Sequence, residues 1–83
     1  MNEEQIRVTT LKTFIARKGH TQTSLARTVK VTPRAMRYYI SGKSSPTIEV
    51  FARMCAALGC SPKTLLSEFG LDTKEIPDDS PSP

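Results

Sequence analysis

The chain has 83 residues, of which 37% are hydrophobic, and it carries a net charge of +4. A chain of this length supports one small domain with a modest core. Because no run of about 18 apolar residues and no apolar signal-peptide segment occurs, neither a membrane span nor secretion is expected, and the protein is placed in the cytoplasm.

The first predicted element is a helix. Leu11, Phe14 and Ile15 follow the i, i+3, i+4 spacing of one helical face, and Gly19 predicts that the helix ends before it. Whether residues 6–8 extend this helix or form a flexible arm stays open. Apolar residues recur at helical spacings along the chain without sustained alternation, which predicts an all-α fold, a compact bundle of four to five short helices.

The second and third helices follow at short intervals. Thr21 is a predicted N-cap for a helix over residues 22–29, and Thr32 caps the next one, with Pro33 at its first position. Gly42 predicts the end of the third helix. The inward-facing residues of the second helix are Leu25, Ala26 and Val29.

The fourth and fifth helices complete the bundle. The fourth runs from Thr47 to Leu58 and is closed by Gly59, and the fifth begins at Ser61-Pro62. Their apolar stripes contain Ile48, Phe51, Met54, Cys55 and Leu58 in the fourth helix and Leu65, Leu66 and Phe69 in the fifth. Residues 1–71 are therefore expected to form the domain.

An acidic tail is predicted over residues 72–83, which are rich in Pro, Asp and Ser and are expected to be disordered. Residues 1–71 carry eleven Lys and Arg against four Glu, or +7, whereas residues 72–83 carry one Lys against four acidic residues, or −3. A basic body with an acidic tail is typical of a polyanion binder.

Neither a metal site nor a catalytic site is expected. Cys55 and Cys60 lack the paired spacings of zinc ligands, so we interpret them as a buried thiol and a turn thiol. The single histidine, His20, has no acid or nucleophile at a readable spacing, and we interpret it as a turn or capping residue. No Gly-rich phosphate loop occurs, so an enzyme acting on a small-molecule substrate is disfavoured.

The third helix carries the functional hypothesis. At 100° per residue, Arg34, Arg37, Tyr38 and Ser41 share one face, while Ala35, Met36, Tyr39 and Ile40 lie on the other. A helix fits the DNA major groove, where arginine can bond two acceptors of guanine at once. The competing interpretation is a solvated helix whose arginines bind nothing. A short helix and a tight turn before it favour the helix-turn-helix geometry.

Residues from about Leu11 to Leu66 resemble the Cro/C1-type (XRE) helix-turn-helix family of phage and bacterial repressors, which have the lambda-repressor-like DNA-binding fold. The residues that carry the resemblance are Gly19, Gln22, Leu25, Ala26, Val31, Thr32, Met36, Gly42, Lys43, Pro46, Ala57, Leu58, Gly59, Leu65 and Leu66. No single one of these residues is specific to the family, but the ordered set is.

The resemblance implies the site residues. The third helix would be the recognition helix, and the residues facing bases would be Pro33, Arg34, Arg37 and Tyr38. Phosphate contacts would come from Gln22, Thr32, Ser41, Lys43 and Ser44. It also implies binding without a cofactor to a double-stranded operator, as a homodimer with half-sites about 34 Å apart. The implied dimer contacts are Leu66, Phe69, Leu71 and Ile76.

Two positions depart from the family pattern. Lys30 stands in the turn where glycine is common, which implies either a strained left-handed residue or a different turn. Ile40 replaces a common glutamate, which favours a packed link between recognition helix and scaffold over a polar one.

The sequence therefore predicts a DNA-binding transcriptional regulator. The specific hypothesis is a phage or prophage repressor, in the cytoplasm or nucleoid of a bacterial host, that excludes polymerase or another regulator from its operator. An antitoxin or accessory module that binds a protein partner through its tail is the alternative, since the same fold serves both. RNA binding ranks below both because no RNA-binding motif occurs.

Overall fold

The computed structural model, which describes residues 2–77, contains five α-helices and no strand in that range. They are α1 (Glu3–Arg17), α2 (Gln22–Thr28), α3 (Pro33–Ser41), α4 (Ile48–Leu58) and α5 (Pro62–Glu68). The predicted all-α fold is confirmed, and residues 6–8 belong to α1 rather than to an arm. None of the five helices is long and apolar enough to cross a membrane.

Side-chain caps define where the helices begin. The predicted caps Thr21, Thr32 and Ser61 each accept a hydrogen bond from the backbone N–H three residues later, and Thr47 does the same for α4. Each cap satisfies one of the N–H groups that a helix start leaves without a partner. Short helices can therefore start at defined residues, and the caps determine where α2 and α3 begin.

One apolar core joins all five helices. α3 packs against α1 and α2, α5 packs against α1 and α4, and α2 also contacts α4. The buried residues are Leu11, Phe14, Ile15, Leu25, Ala26, Val29, Met36, Ile40, Val50, Met54, Cys55, Leu58, Leu65 and Phe69. Burial of Ile40 confirms that this position is packed, as its departure from the family pattern suggested.

The apolar stripe of α4 was predicted incorrectly at its first residue. Ile48 is 86% exposed, whereas Val50, which was not assigned to the stripe, is buried. Helical spacing places Ile48 at the margin of the stripe, and its position at the start of α4 leaves that margin uncovered by the described part of the chain. Ile48 is thus a surface residue.

The turn between α2 and α3 has a left-handed residue. Lys30 has a φ of 63° and is the one non-glycine residue with positive φ among residues 2–77. The Val31 N–H donates to the Ala26 carbonyl and the Lys30 N–H to that of Arg27, a Schellman arrangement that ends α2. The turn therefore has the geometry that glycine would favour, with lysine in its place.

The two thiols have the predicted placement, with Cys55 buried and Cys60 half-buried after α4. Burial raises the pKa of the Cys55 thiol, and the neighbouring Cys60 raises it further. Burial also raises the pKa of Cys60, although Lys18 and a hydrogen bond with Cys55 act in the opposite direction. Both thiols are consequently poor nucleophiles near neutral pH.

The first part of the predicted tail is visible as a turn. In residues 72–77 the Lys74 N–H donates to the Asp72 carboxylate at 3.0 Å, and the Ile76 N–H donates to the Thr73 carbonyl at 3.1 Å. The remainder of the predicted disordered tail, 78–83, lies outside the described residues.

Replacing Lys30 by glycine is expected to stabilise the fold by about 1 kcal/mol, because a side chain at this φ carries strain that glycine lacks. Thermal unfolding should shift upward by about 4–8 °C in a domain of this size. Lys30→Ala is the matched control, since it removes the same charge but keeps the Cβ atom. An equal shift in both variants would assign the effect to charge instead of backbone strain.

Candidate nucleic-acid interface

The core determines which face of α3 is exposed. Met36 and Ile40 are buried, Ala35 and Tyr39 are half-buried, and both arginines of the helix are exposed. Thr32 caps the N-terminal end of α3, and Pro33 occupies its first position, where a missing N–H costs no hydrogen bond. The predicted division of α3 into an inner apolar face and an outer basic face is therefore confirmed.

The outer face carries a cluster of Arg34, Tyr38 and Lys43. Arg34 Nε donates a hydrogen bond to the Tyr38 hydroxyl at 3.1 Å, and Arg34 Cζ lies 5.6 Å from the centre of the tyrosine ring. Lys43 Nζ lies 5.3 Å from the same ring centre. Both distances are within cation–π range, so one half-buried ring orients two cations.

The hydrogen bond of Arg34 leaves its recognition groups available. Because the bond uses Nε, the two terminal nitrogens make no hydrogen bond within the described part of the chain. The side chain of Arg37, one turn further along α3, is exposed and makes no hydrogen bond or ring contact among residues 2–77. The terminal nitrogens of both arginines can therefore bind acceptors on a partner without first breaking a hydrogen bond within the protein.

The segment that contains α2 and α3 is rich in cations. The sequence from residue 5 to residue 48 contains no Asp or Glu and nine cations: Arg7, Lys12, Arg17, Lys18, Arg27, Lys30, Arg34, Arg37 and Lys43. The five of these on α2, α3 and the loops that follow them are all exposed. Such cations attract a polyanion over distances of about a Debye length, near 8–10 Å in physiological salt. Glu3 and Glu68 lie near the end of α3, where they line a cavity with Lys43.

Comparison with known families agrees with this geometry. The model of a helix-turn-helix family matches residues 11–65, which is 55 of the 83 residues. The chain belongs to the Cro/C1-type (XRE) helix-turn-helix family. No curated protein and no solved structure gives a significant match.

Membership gives the regulator its general function. The family consists of DNA-binding transcription regulators that are typically non-enzymatic, so this protein is a DNA-binding transcription regulator of the XRE type. The matched segment begins in α1 and ends in α5, and it includes the α2–turn–α3 unit with its basic surface.

Three of the predicted phosphate contacts, Ser41, Lys43 and Ser44, lie together at the C-terminal end of the regulator's α3 and in the loop after it. Ser41 and Ser44 flank Gly42-Lys43 at the end of the helix, next to the Arg34–Tyr38–Lys43 cluster. Thr32 is at the opposite end of α3, where its hydroxyl oxygen accepts from the Ala35 N–H at 3.0 Å. Gln22 is the half-buried first residue of α2, whereas the other four lie at the ends of α3 or in the loop after it.

Several groups in this loop of the regulator already have partners. The Ser41 hydroxyl donates to the Tyr38 carbonyl, and the N–H groups of Gly42 and Ser44 donate to the same oxygen at 3.0 and 3.4 Å. These two loop amides are therefore already hydrogen-bonded in the free protein. The Lys43 ammonium and the Ser44 hydroxyl of the loop make no hydrogen bond among residues 2–77 and remain available to a phosphate.

Sequence reasoning missed two arginines of the regulator. Arg7 received no role from the sequence, and its Nη2 donates to the Tyr39 carbonyl at 3.0 Å. Arg53 was left unassigned, and its Nε donates to the Val29 carbonyl at the end of α2 at 3.0 Å. The available indication for Arg7 was its position four residues before Leu11, which places a cation on the apolar face of α1.

Proposed function

We propose that the regulator binds a palindromic operator as a homodimer and represses transcription by excluding polymerase or another regulator. It would be a phage or prophage repressor of the Cro/C1 type. The observation that carries this proposal is the outer face of α3, where Arg34, Arg37 and Tyr38 project from a fixed helix that, like α2, contains no Asp or Glu.

α3 is the proposed recognition helix. The terminal nitrogens of Arg34 suit the O6 and N7 acceptors of guanine in the major groove, and Tyr38 holds the guanidinium by its Nε in the free protein. Arg37, one turn of α3 after Arg34, would contact a second base position. Pro33 and the Tyr38 ring supply apolar surface for thymine methyl groups.

The proposed phosphate contacts come from both helices of the motif. Gln22 would bind from the start of α2, and Thr32 from the cap of α3. Ser41, Lys43 and Ser44 would bind from the loop after α3. Ser41 must exchange its hydrogen bond with the Tyr38 carbonyl to do so, whereas Lys43 needs only to rotate its flexible side chain.

The proposed dimer surface is an apolar groove with a volume of about 280 Å³. It is lined by Arg7, Ser45, Pro46, Ile48, Phe51, Leu66, Phe69 and Leu71. Ile48 and Leu71 are 86% and 57% exposed at its edge, so a second copy could bury them. Phe69, an expected dimer contact, is only 6% exposed and would support the groove from inside, while Ile76 is 39% exposed and outside it.

Selection of bound duplexes from a random DNA pool tests the proposed function. The expected result is an enriched inverted repeat with half-site centres about 34 Å apart, because a symmetric dimer places two recognition helices one DNA turn apart. Binding without enrichment, together with a steep dependence on salt, would instead indicate a non-specific binder. The search would then turn to a protein partner, as in an antitoxin or accessory module.

Replacing Arg34 by alanine is expected to weaken binding to the selected operator by about 1–3 kcal/mol and to relax specificity at one base position. The measurement is a titration of operator and random duplexes at fixed salt. Arg27→Ala is the matched control, since it removes another exposed arginine, on α2. Equal losses on both duplexes for Arg34→Ala would reassign Arg34 to phosphate binding.

Replacing Ile48 by aspartate is expected to weaken self-association more than tenfold, because a symmetric interface would bury this side chain twice. An aspartate in the first turn of α4 is compatible with the helix dipole, so the fold should persist. Sedimentation equilibrium measures the effect, with Ile6→Asp as the control, an exposed isoleucine that does not line the groove. Unchanged self-association in Ile48→Asp would place the interface elsewhere.

A further inference from the structure

We propose that Arg7 is a positioning residue for DNA recognition, which holds the C-terminal end of α3 from helix α1. The inference rests on the proposed role of α3 as the base-reading helix. It assigns to Arg7 an effect on operator specificity without direct contact with DNA.

One carbonyl at the C-terminal end of α3, that of Tyr39, has its partner elsewhere in the chain. The last four carbonyls of a helix have no partner within it, and the negative end of the helix dipole favours a cation. α3 has no basic residue in its last turn. The Tyr39 carbonyl accepts instead from Arg7 Nη2 at 3.0 Å, across a separation of 32 residues.

The guanidinium of Arg7 is held on several sides. Its Cζ lies 5.2 Å from the centre of the Phe69 ring, and a Cβ atom built on Gly42 would lie 3.2 Å from Nη1. Arg7 Nε is buried and has no hydrogen-bond partner among the described residues. A side chain enclosed in this way is part of the scaffold and not a solvated cation.

The chemistry requires arginine specifically. A planar guanidinium can donate to the Tyr39 carbonyl while its face lies against the Phe69 ring, whereas a lysine ammonium is a compact, strongly hydrated charge. Gly42 serves the same arrangement, since its φ of 88° ends α3 and its missing Cβ leaves room for Nη1.

Arg7 also links the two proposed binding surfaces. It lines the apolar groove together with Ile48 and Leu71, and the same guanidinium contacts the end of α3. In a dimer formed through the apolar groove, the angle of each recognition helix relative to that groove determines how the two half-sites of the operator are contacted together. Loss of Arg7 should therefore impair base reading more than phosphate binding, because long lysine side chains tolerate small shifts that a bidentate arginine does not.

The test compares Arg7→Gln with Lys12→Gln, which removes an equal charge from an exposed position on the same helix. Operator and random duplexes are titrated over a range of salt concentrations. Arg7→Gln is expected to weaken operator binding roughly tenfold more than the control, the scale of a lost charge-assisted hydrogen bond. Binding to random DNA and the salt dependence should match the control.

Hydrogen exchange in the free protein provides a readout that is independent of DNA. The N–H groups of Gly42 and Ser44, which donate to the Tyr38 carbonyl, should exchange faster in Arg7→Gln than in Lys12→Gln. If no operator emerges from the selection, the proposed function fails, and this measurement still decides whether Arg7 holds the end of α3.

Arg7→Lys serves as the second variant if Arg7→Gln is unfolded at the assay temperature. It keeps the charge and should show the same selective loss to a smaller extent. Equal losses on operator and random DNA, with a salt slope reduced by about one, would make Arg7 a phosphate contact and overturn the proposal. Unchanged exchange at residues 42 and 44 would overturn it as well.

Discussion

Burial of the inner face of α3 is the interaction on which the DNA-binding surface depends. Met36 and Ile40 have almost no exposed surface, and fully burying side chains of this size contributes about 1.5–3 kcal/mol each. A nine-residue helix would not persist alone in water, so this packing decides whether α3 is helical at all. Because helical periodicity then fixes the outer face, the exposed array of Arg34 and Arg37 is a consequence of the core.

The same arrangement places like charges close together in a small domain. Net stabilities of such domains are about 5–15 kcal/mol, so repulsion among exposed cations is a significant term. Tyr38 offsets part of it, since its ring attracts both Arg34 and Lys43, at about 0.5–1 kcal/mol for each exposed contact. The tyrosine thus holds two cations on the outer face while leaving the terminal nitrogens of Arg34 exposed.

Local features of the sequence predicted the fold because local interactions determine them. Thr21, Thr32 and Ser61 cap helices within three residues of themselves, and Gly42 and Gly59 adopt left-handed geometry at the helix ends. The outer face of α3 followed from periodicity alone. By contrast, the exposure of Ile48 depends on which element covers the start of α4, and the role of Arg7 depends on a partner 32 residues away. Neither is determined by spacing within one helix.

The two ends of α3 are held by different means, and this difference matters for recognition. The N-terminal end is fixed by its own residues, the Thr32 cap and Pro33. The geometry of this end is therefore the same wherever the core positions α3. At the C-terminal end, Gly42 and Ser44 donate to the Tyr38 carbonyl, and in addition Arg7 on α1, which rests on Phe69 after α5, donates to the Tyr39 carbonyl. The orientation of α3 therefore depends on the relative positions of α1 and α5, as well as on the groove beside them. Residues that never touch DNA can in this way affect which bases Arg34 and Arg37 reach, while Lys43, on a flexible stem, still reaches the phosphates.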